Sequence, residues 1–177
     1  IKFASQGNSR VSVNKVIKNF EGSPLQVYKT LNNKNSFLFE SASNKGKWSR
    51  YSIIGTESNE MIKVEDNKIS YINDSKVEEI KTNDPLDWIE KFYSKNKVIN
   101  LPKDVPFSGG LVGYFGYETI RFIENKLKVE KKDSLGVPDI FLFVCNEIII
   151  FDNLKKCIHI IINAKTNNED SYENSIE

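Results

Sequence analysis

Ile140-Phe141-Leu142-Phe143-Val144-Cys145-Asn146-Glu147-Ile148-Ile149-Ile150-Phe151-Asp152, then Asn153-Leu154-Lys155-Lys156, then Cys157-Ile158-His159-Ile160-Ile161-Ile162-Asn163-Ala164 read as two β-rich runs joined by a short polar turn. That is a hairpin, and the same grammar recurs upstream. Met61-Ile62-Lys63-Val64 and Ile69-Ser70-Tyr71-Ile72 flank Asp66-Asn67, two residues that tolerate left-handed turns. Ser36-Phe37-Leu38-Phe39-Glu40-Ser41 is a compact apolar run closing on two polar residues, and after a polar loop containing Gly46 the chain resumes as Arg50-Tyr51-Ser52-Ile53-Ile54-Gly55. Helical signals are fewer. Ser23-Pro24 offers an N-cap and a proline at the first helical position, with Leu25, Tyr28 and Leu31 at three-residue spacing. Asp84-Pro85 opens a second helix at about 85 to 96, carrying Leu86, Ile89, Phe92 and Tyr93 on one face. The stretch before Ser23 has little periodicity, and Glu169 to Glu173 resembles the first turn of a further helix. Strands that succeed one another in hairpins, instead of alternating with helices, indicate an α+β fold of mostly antiparallel β-sheets with a few packed helices. Pairing about the last turn sets Cys145 near Ile162 and Cys157 near Ile150, so the two thiols should not face one another and no disulfide is expected.

The 177 residues, 20.3 kDa, suit one domain spanning 1–177. With 39% hydrophobic residues, 11 Phe and 7 Tyr there is enough apolar material to offset chain entropy. Lys+Arg number 25 against 24 Asp+Glu, which removes the basic surplus of a phosphate-backbone binder, so nucleic acid is not an expected partner. Apolar runs such as Ile148 to Phe151 fall far short of the roughly 20 residues that span a bilayer, and no basic start precedes an apolar h-region. Neither a membrane partner nor a signal peptide is expected, and the cytoplasm is the expected location. One His and two Cys cannot assemble a zinc site of Cys and His ligands, so no metal residue is assigned.

The most unusual segment is Ser108-Gly109-Gly110-Leu111-Val112-Gly113-Tyr114-Phe115-Gly116-Tyr117-Glu118. Its glycines do not match a dinucleotide fingerprint, and no Lys follows as in a P-loop. It reads better as a β segment whose missing side chains let a neighbour approach closely, with Tyr114, Phe115 and Tyr117 supplying packing area. His159, between two isoleucines, reads as a sheet histidine, and no acid/base pair is identifiable among the carboxylates. Glu40-Ser41 and Arg50 differ. As strand-end polar residues they can simply satisfy neighbouring backbone. Alternatively they suit a zwitterion, with Glu40 accepting from an ammonium, Ser41 donating or accepting, and Arg50 offering a charged fork to a carboxylate.

Phe37-Leu38-Phe39-Glu40-Ser41, then Lys47-Trp48-Ser49-Arg50-Tyr51-Ser52-Ile53-Ile54-Gly55, then Pro106-Phe107 running into the glycine-aromatic segment, closely resemble in that order the N-terminal domain of anthranilate synthase component I. The resemblance also takes in Ser23-Pro24-Leu25 to Tyr28, the Pro138-Asp139 step and the strand ending in Phe151-Asp152, and so covers nearly the whole chain. Component I of aminodeoxychorismate synthase, of folate synthesis, is the close relative. Glu40-Ser41 followed by Arg50-Tyr51-Ser52 favours the anthranilate branch.

The resemblance implies a regulatory and scaffolding region that packs on a larger chorismate-utilising domain, which holds the catalytic residues and a magnesium ion and is absent from this chain. It implies a glutamine amidotransferase subunit, component II, as the ammonia source, and L-tryptophan as feedback inhibitor. By resemblance Ser41 lines the tryptophan pocket, with Glu40 and Arg50 beside it. The family's Leu-Leu-Glu-Ser stands here as Leu38-Phe39-Glu40-Ser41, a departure able to reshape the indole pocket. The piece alone is expected to hold no catalytic residue, no cofactor and only half an effector site. A freestanding interaction module with no enzyme attached is the reading from another class.

Overall fold

The computed structural model describes residues 10–31, 34–40, 50–127 and 136–166. In chain order these residues form β1 (Arg10–Lys18), α1 (Pro24–Leu31), β2 (Phe37–Phe39), β3 (Tyr51–Gly55), β4 (Glu60–Glu65), β5 (Lys68–Asn73) and β6 (Lys76–Lys81). There follow α2 (Pro85–Lys95), β7 (Val98–Ile99), β8 (Gly110–Phe115), two short 3₁₀ helices at Tyr117–Phe122 and Asn125–Leu127, β9 (Ile140–Cys145), β10 (Glu147–Asp152) and β11 (Cys157–Lys165). The strands lie in two sheets, ordered β2-β3-β10-β11-β1-β7 and β6-β5-β4-β9-β8. β1 with β11, β11 with β10, β10 with β3, β3 with β2, β4 with β5 and β9, and β5 with β6 pair antiparallel, whereas β1 and β7 match in parallel over two residues. The α+β expectation holds. The chain divides into two compact units, each built around one sheet.

In the first unit α1 covers one face of the six-stranded sheet. Ile54, Phe151 and Ile158 are its buried centre, with Val27 and Tyr28 of α1 and Leu38 packed on them. The helix starts where the sequence says it should. Ser23 Oγ accepts from the Gln26 N–H and Gln26 Oε1 from the Ser23 N–H, both at 3.2 Å, a reciprocal box that satisfies two orphan donors. In the second unit Ile62, Val64, Ile69, Ile140 and Leu142 present the inner face of their sheet to Ile89, Trp88 and Phe92 of α2. Asp84 caps α2 by accepting the Asp87 N–H at 2.9 Å, and Pro85 fills the position whose missing N–H costs nothing.

Three readings need correction. First, 140–152 is not one strand: β9 and β10 run in different sheets, separated at Asn146. The Asn146 carbonyl accepts the Asn163 N–H at 2.8 Å, and its side chain accepts from Arg10, partners that only the fold supplies. Second, the last hairpin pairs Asp152 with Cys157 and Ile150 with His159, two residues away from the expected register. A four-residue turn joins Asp152 directly to Cys157. The Asp152 carboxylate closes it by accepting the Leu154 and Lys155 N–H groups at 3.1 and 3.0 Å, with Lys156 left-handed at φ 49°. Both cysteines are nevertheless free and buried. Third, Phe115 and Tyr117 do not supply packing area, being 54% and 88% exposed on and just beyond the edge strand β8. The stretch before Ser23, read as aperiodic, contributes the nine-residue β1, and the helical turn expected at 169–173 lies outside the described residues.

The glycine reading itself stands. A Cβ on Gly113 would lie 1.9 Å from the Phe141 carbonyl oxygen, so β8 rests on the backbone of β9 where only hydrogen fits. The Pro138-Asp139 step also has a structural task. Asp139 Oδ2 accepts the Asp66 N–H at 2.8 Å and pairs with Arg121 at 2.5 Å, while Arg121 also reaches Asp66.

Candidate functional site

Hairpin pairing of β2 with β3, Phe37 opposite Gly55 and Phe39 opposite Ile53, brings the chain after Phe39 and the chain before Tyr51 to the same end of the first sheet. Glu40 follows β2 there and is exposed; Arg50 precedes β3. Ser41, with the loop to position 49, lies outside the described residues. Phe39, the departure from the family motif, is 55% exposed, with its ring centroid 4.7 Å from that of Phe37.

Arg50 is the best-defined of the three. Its fork grips Asp152 on the adjoining strand β10, Nε to Oδ1 at 3.0 Å and Nη2 to Oδ2 at 2.6 Å, and its guanidinium lies over the Tyr51 ring at 4.7 Å. The bidentate pair is reinforced by the neighbouring Asn153 N–H, donated to the Arg50 carbonyl at 2.9 Å. Two guanidinium N–H groups are thus directed at Asp152, and Nη1 is not engaged in that pair. Burial pushes the Asp152 carboxyl up. The hydrogen bond and charge of Arg50, with the Lys155 and Leu154 N–H groups, outweigh it and hold the group below the usual carboxylate range. Asp152 in turn raises Arg50.

The same carboxylate belongs to a second grouping that reading by residue type missed. Asp152, Cys157 and His159 are all buried and bring a carboxylate oxygen, Sγ and a ring nitrogen within 4.8 Å of one another. Cys157 Sγ lies 3.7 Å from His159 Nε2, and His159 Nδ1 is buried without a hydrogen-bond partner. Counting only Cys and His left out the carboxylate that the turn delivers. A groove of about 390 Å³ reaches Asp152 and Cys157 between Asn19–Gly22 and the 153–156 turn. A thiol and an imidazole are poor donors for magnesium, which takes oxygen ligands, so this cluster does not fit that ion.

No family model matches the chain. It is 37% identical to anthranilate synthase component 1 of Pseudomonas putida over 177 residues, 98% of this chain and 36% of that protein. It is likewise 36% identical to that of Pseudomonas aeruginosa over the same span and 37% identical to that of Acetivibrio thermocellus over 148 residues, which are 81% of this chain and 29% of that protein. Among solved structures it is similar to anthranilate synthase component I from Streptococcus pneumoniae, with a TM-score of 0.58 at 25% identity, covering 90% of this chain and 34% of that one. The chain therefore spans about a third of the length of the relatives it matches. Over that span the resemblance carried by its motifs holds in sequence and in fold.

Proposed function

We propose that this chain is the N-terminal, tryptophan-sensing region of an anthranilate synthase component I, part of an enzyme that forms anthranilate from chorismate and ammonia in the cytoplasm. The observation that carries the reading is identity of 37% to one such component across 98% of the chain, with the Phe37–Ser41, Lys47–Gly55 and Pro106–Glu118 motifs in order. No helix among the described residues is long and apolar enough to cross a membrane. The chemistry then resides in the part of the protein outside this chain, where the magnesium ion is held and a glutamine amidotransferase subunit delivers ammonia.

The effector reading rests on Ser41 and Glu40, with Arg50 beside them. Because the Arg50 fork is directed at Asp152, its part is to fix the start of β3 and offer the remaining Nη1 toward a ligand carboxylate, while Ser41 makes the principal contact. The test is full-length protein supplied with chorismate, magnesium and ammonia. Anthranilate should form and should diminish as tryptophan is added. Formation of aminodeoxychorismate instead would assign the chain to the folate branch, and absence of any chorismate turnover would leave the interaction-module reading.

A further inference from the structure

We propose that Asp152, Cys157 and His159 form a binding site for a zinc-type divalent cation, separate from the magnesium chemistry and joined to the proposed effector site through Arg50 alone. Thiolate, imidazole and carboxylate are the three donor types such an ion takes, commonly with a water in the fourth position. The hairpin creates the grouping. Cys157 and His159 are two residues apart on β11 and so share a face of the sheet, and Asp152 is the register partner of Cys157.

The thiol and imidazole are spaced for one ion, while the carboxylate oxygen, within 4.8 Å of both, must close in by about 1 Å to complete the set. With bonds of about 2.3 Å to sulfur and about 2.05 Å to nitrogen, the 3.7 Å between Cys157 Sγ and His159 Nε2 is spanned at an angle of roughly 116°, close to tetrahedral. Asp152 has room for a third bond. Its Oδ1 accepts from Arg50 Nε and from the Leu154 and Lys155 N–H groups, whereas Oδ2 accepts from Arg50 Nη2 alone and keeps an acceptor direction. Arg50 then becomes the outer partner that orients a ligating carboxylate, and ionisation of the thiol offsets part of the charge the cation brings. Without an ion the imidazole is poorly satisfied, since Nε2 meets only a thiol, a weak hydrogen-bonding group, and Nδ1 meets nothing. The groove at Asp152 and Cys157 provides a way in. On binding, the Cys157 S–H bond breaks, its electron pair goes to the metal, and the proton leaves to solvent. Because Nδ1–H lacks an outer partner, affinity should be about 10- to 100-fold below that of a fully braced site.

The experiment uses full-length protein stripped of metal by a chelator and then kept in magnesium buffer, which leaves any oxygen-donor site filled. One equivalent of Co²⁺ should produce thiolate-to-cobalt charge-transfer absorption that Zn²⁺ abolishes. Cys157→Ser should remove the band and His159→Gln should weaken binding at least tenfold, while Cys145→Ser leaves it intact. Alkylation provides a second readout on the unaltered protein, with mass spectrometry locating the label: saturating Zn²⁺ should slow modification of Cys157 at least tenfold. No band, a band that survives Cys157→Ser, or Cys157 labelled equally fast with and without Zn²⁺ would each overturn the proposal.

Discussion

At the scale of single residues, Asp152 concentrates the most consequence in the smallest space. Its carboxylate holds Arg50 and closes the 153–156 turn, and its ionised form is favoured because those contacts outweigh burial. A depressed carboxyl contributes stability that is present above the unfolded value, about 3.9, and is lost as pH falls through the folded value. Asp152→Asn should therefore cost about 1–3 kcal/mol near neutral pH, since it removes a charged acceptor and places an amide against Arg50. It should also flatten the loss of stability below about pH 4, as measured by urea midpoints across pH. An acid limb identical in variant and parent would show that the pair does not govern it. The thiols give a second residue-scale expectation. Burial, aided by the charge of Glu147, pushes Cys145 up to about 12, so this thiol should resist alkylation at pH 8 in the native state. In unfolded, unreduced protein both Cys145 and Cys157 should label. Rapid native labelling of Cys145, or a count below two after unfolding, would contradict the packing described.

Among the elements, β8 tests the close approach that glycine permits. Gly113→Ala places a methyl group 1.9 Å from the Phe141 carbonyl oxygen and 2.9 Å from the Leu142 Cα, both backbone atoms, so β8 and β9 must move apart. The expected cost is about 1–3 kcal/mol, read as a lower denaturation midpoint at unchanged slope; an unchanged midpoint would mean the edge strand yields freely. What was legible at this scale is what local chemistry encodes. Ser23 with Gln26 and Asp84 with Asp87 satisfy backbone groups within a few residues, Asp66 takes the left-handed conformation its turn needs (φ 52°), and the corresponding helix starts and turn lie where the sequence puts them. What was not legible depends on distant partners. Nothing in the apolar run 140–152 marks Asn146 as the break, because the Asn146 carbonyl meets Asn163 and its side chain meets Arg10 only after folding. β1 is similarly defined by β11, more than 130 positions away, and β6 by β5, since Lys76–Lys81 is too polar to announce a strand.

For the whole molecule, the decisive fact is that the chain spans 36% of the anthranilate synthase component 1 of Pseudomonas putida that it matches. The motifs made the family legible, and the residues of the proposed effector site less so, because side-chain chemistry named Arg50 as a ligand fork without revealing that Asp152 engages it. On the proposed reading the isolated 177 residues should not convert chorismate with either glutamine or ammonia, and magnesium-dependent anthranilate formation by clean protein would refute the assignment of catalysis elsewhere. The proposed regulation would follow from the same division. An effector that contacts this region while chemistry occurs beyond it can inhibit only by binding one arrangement of the protein better than another, a coupling of typically about 1–3 kcal/mol. On the proposed reading Ser41 would contribute one hydrogen bond to that difference, about 1 kcal/mol net, or about 1.5–3 if it meets the charged end of tryptophan. Ser41→Ala in the full-length enzyme should therefore weaken inhibition by roughly five- to 150-fold while basal anthranilate formation largely survives. Anthranilate formation against rising tryptophan reads both quantities at once. Unchanged inhibition would remove Ser41 from the site, whereas activity and inhibition falling together would identify a strand-end serine that only supports the fold.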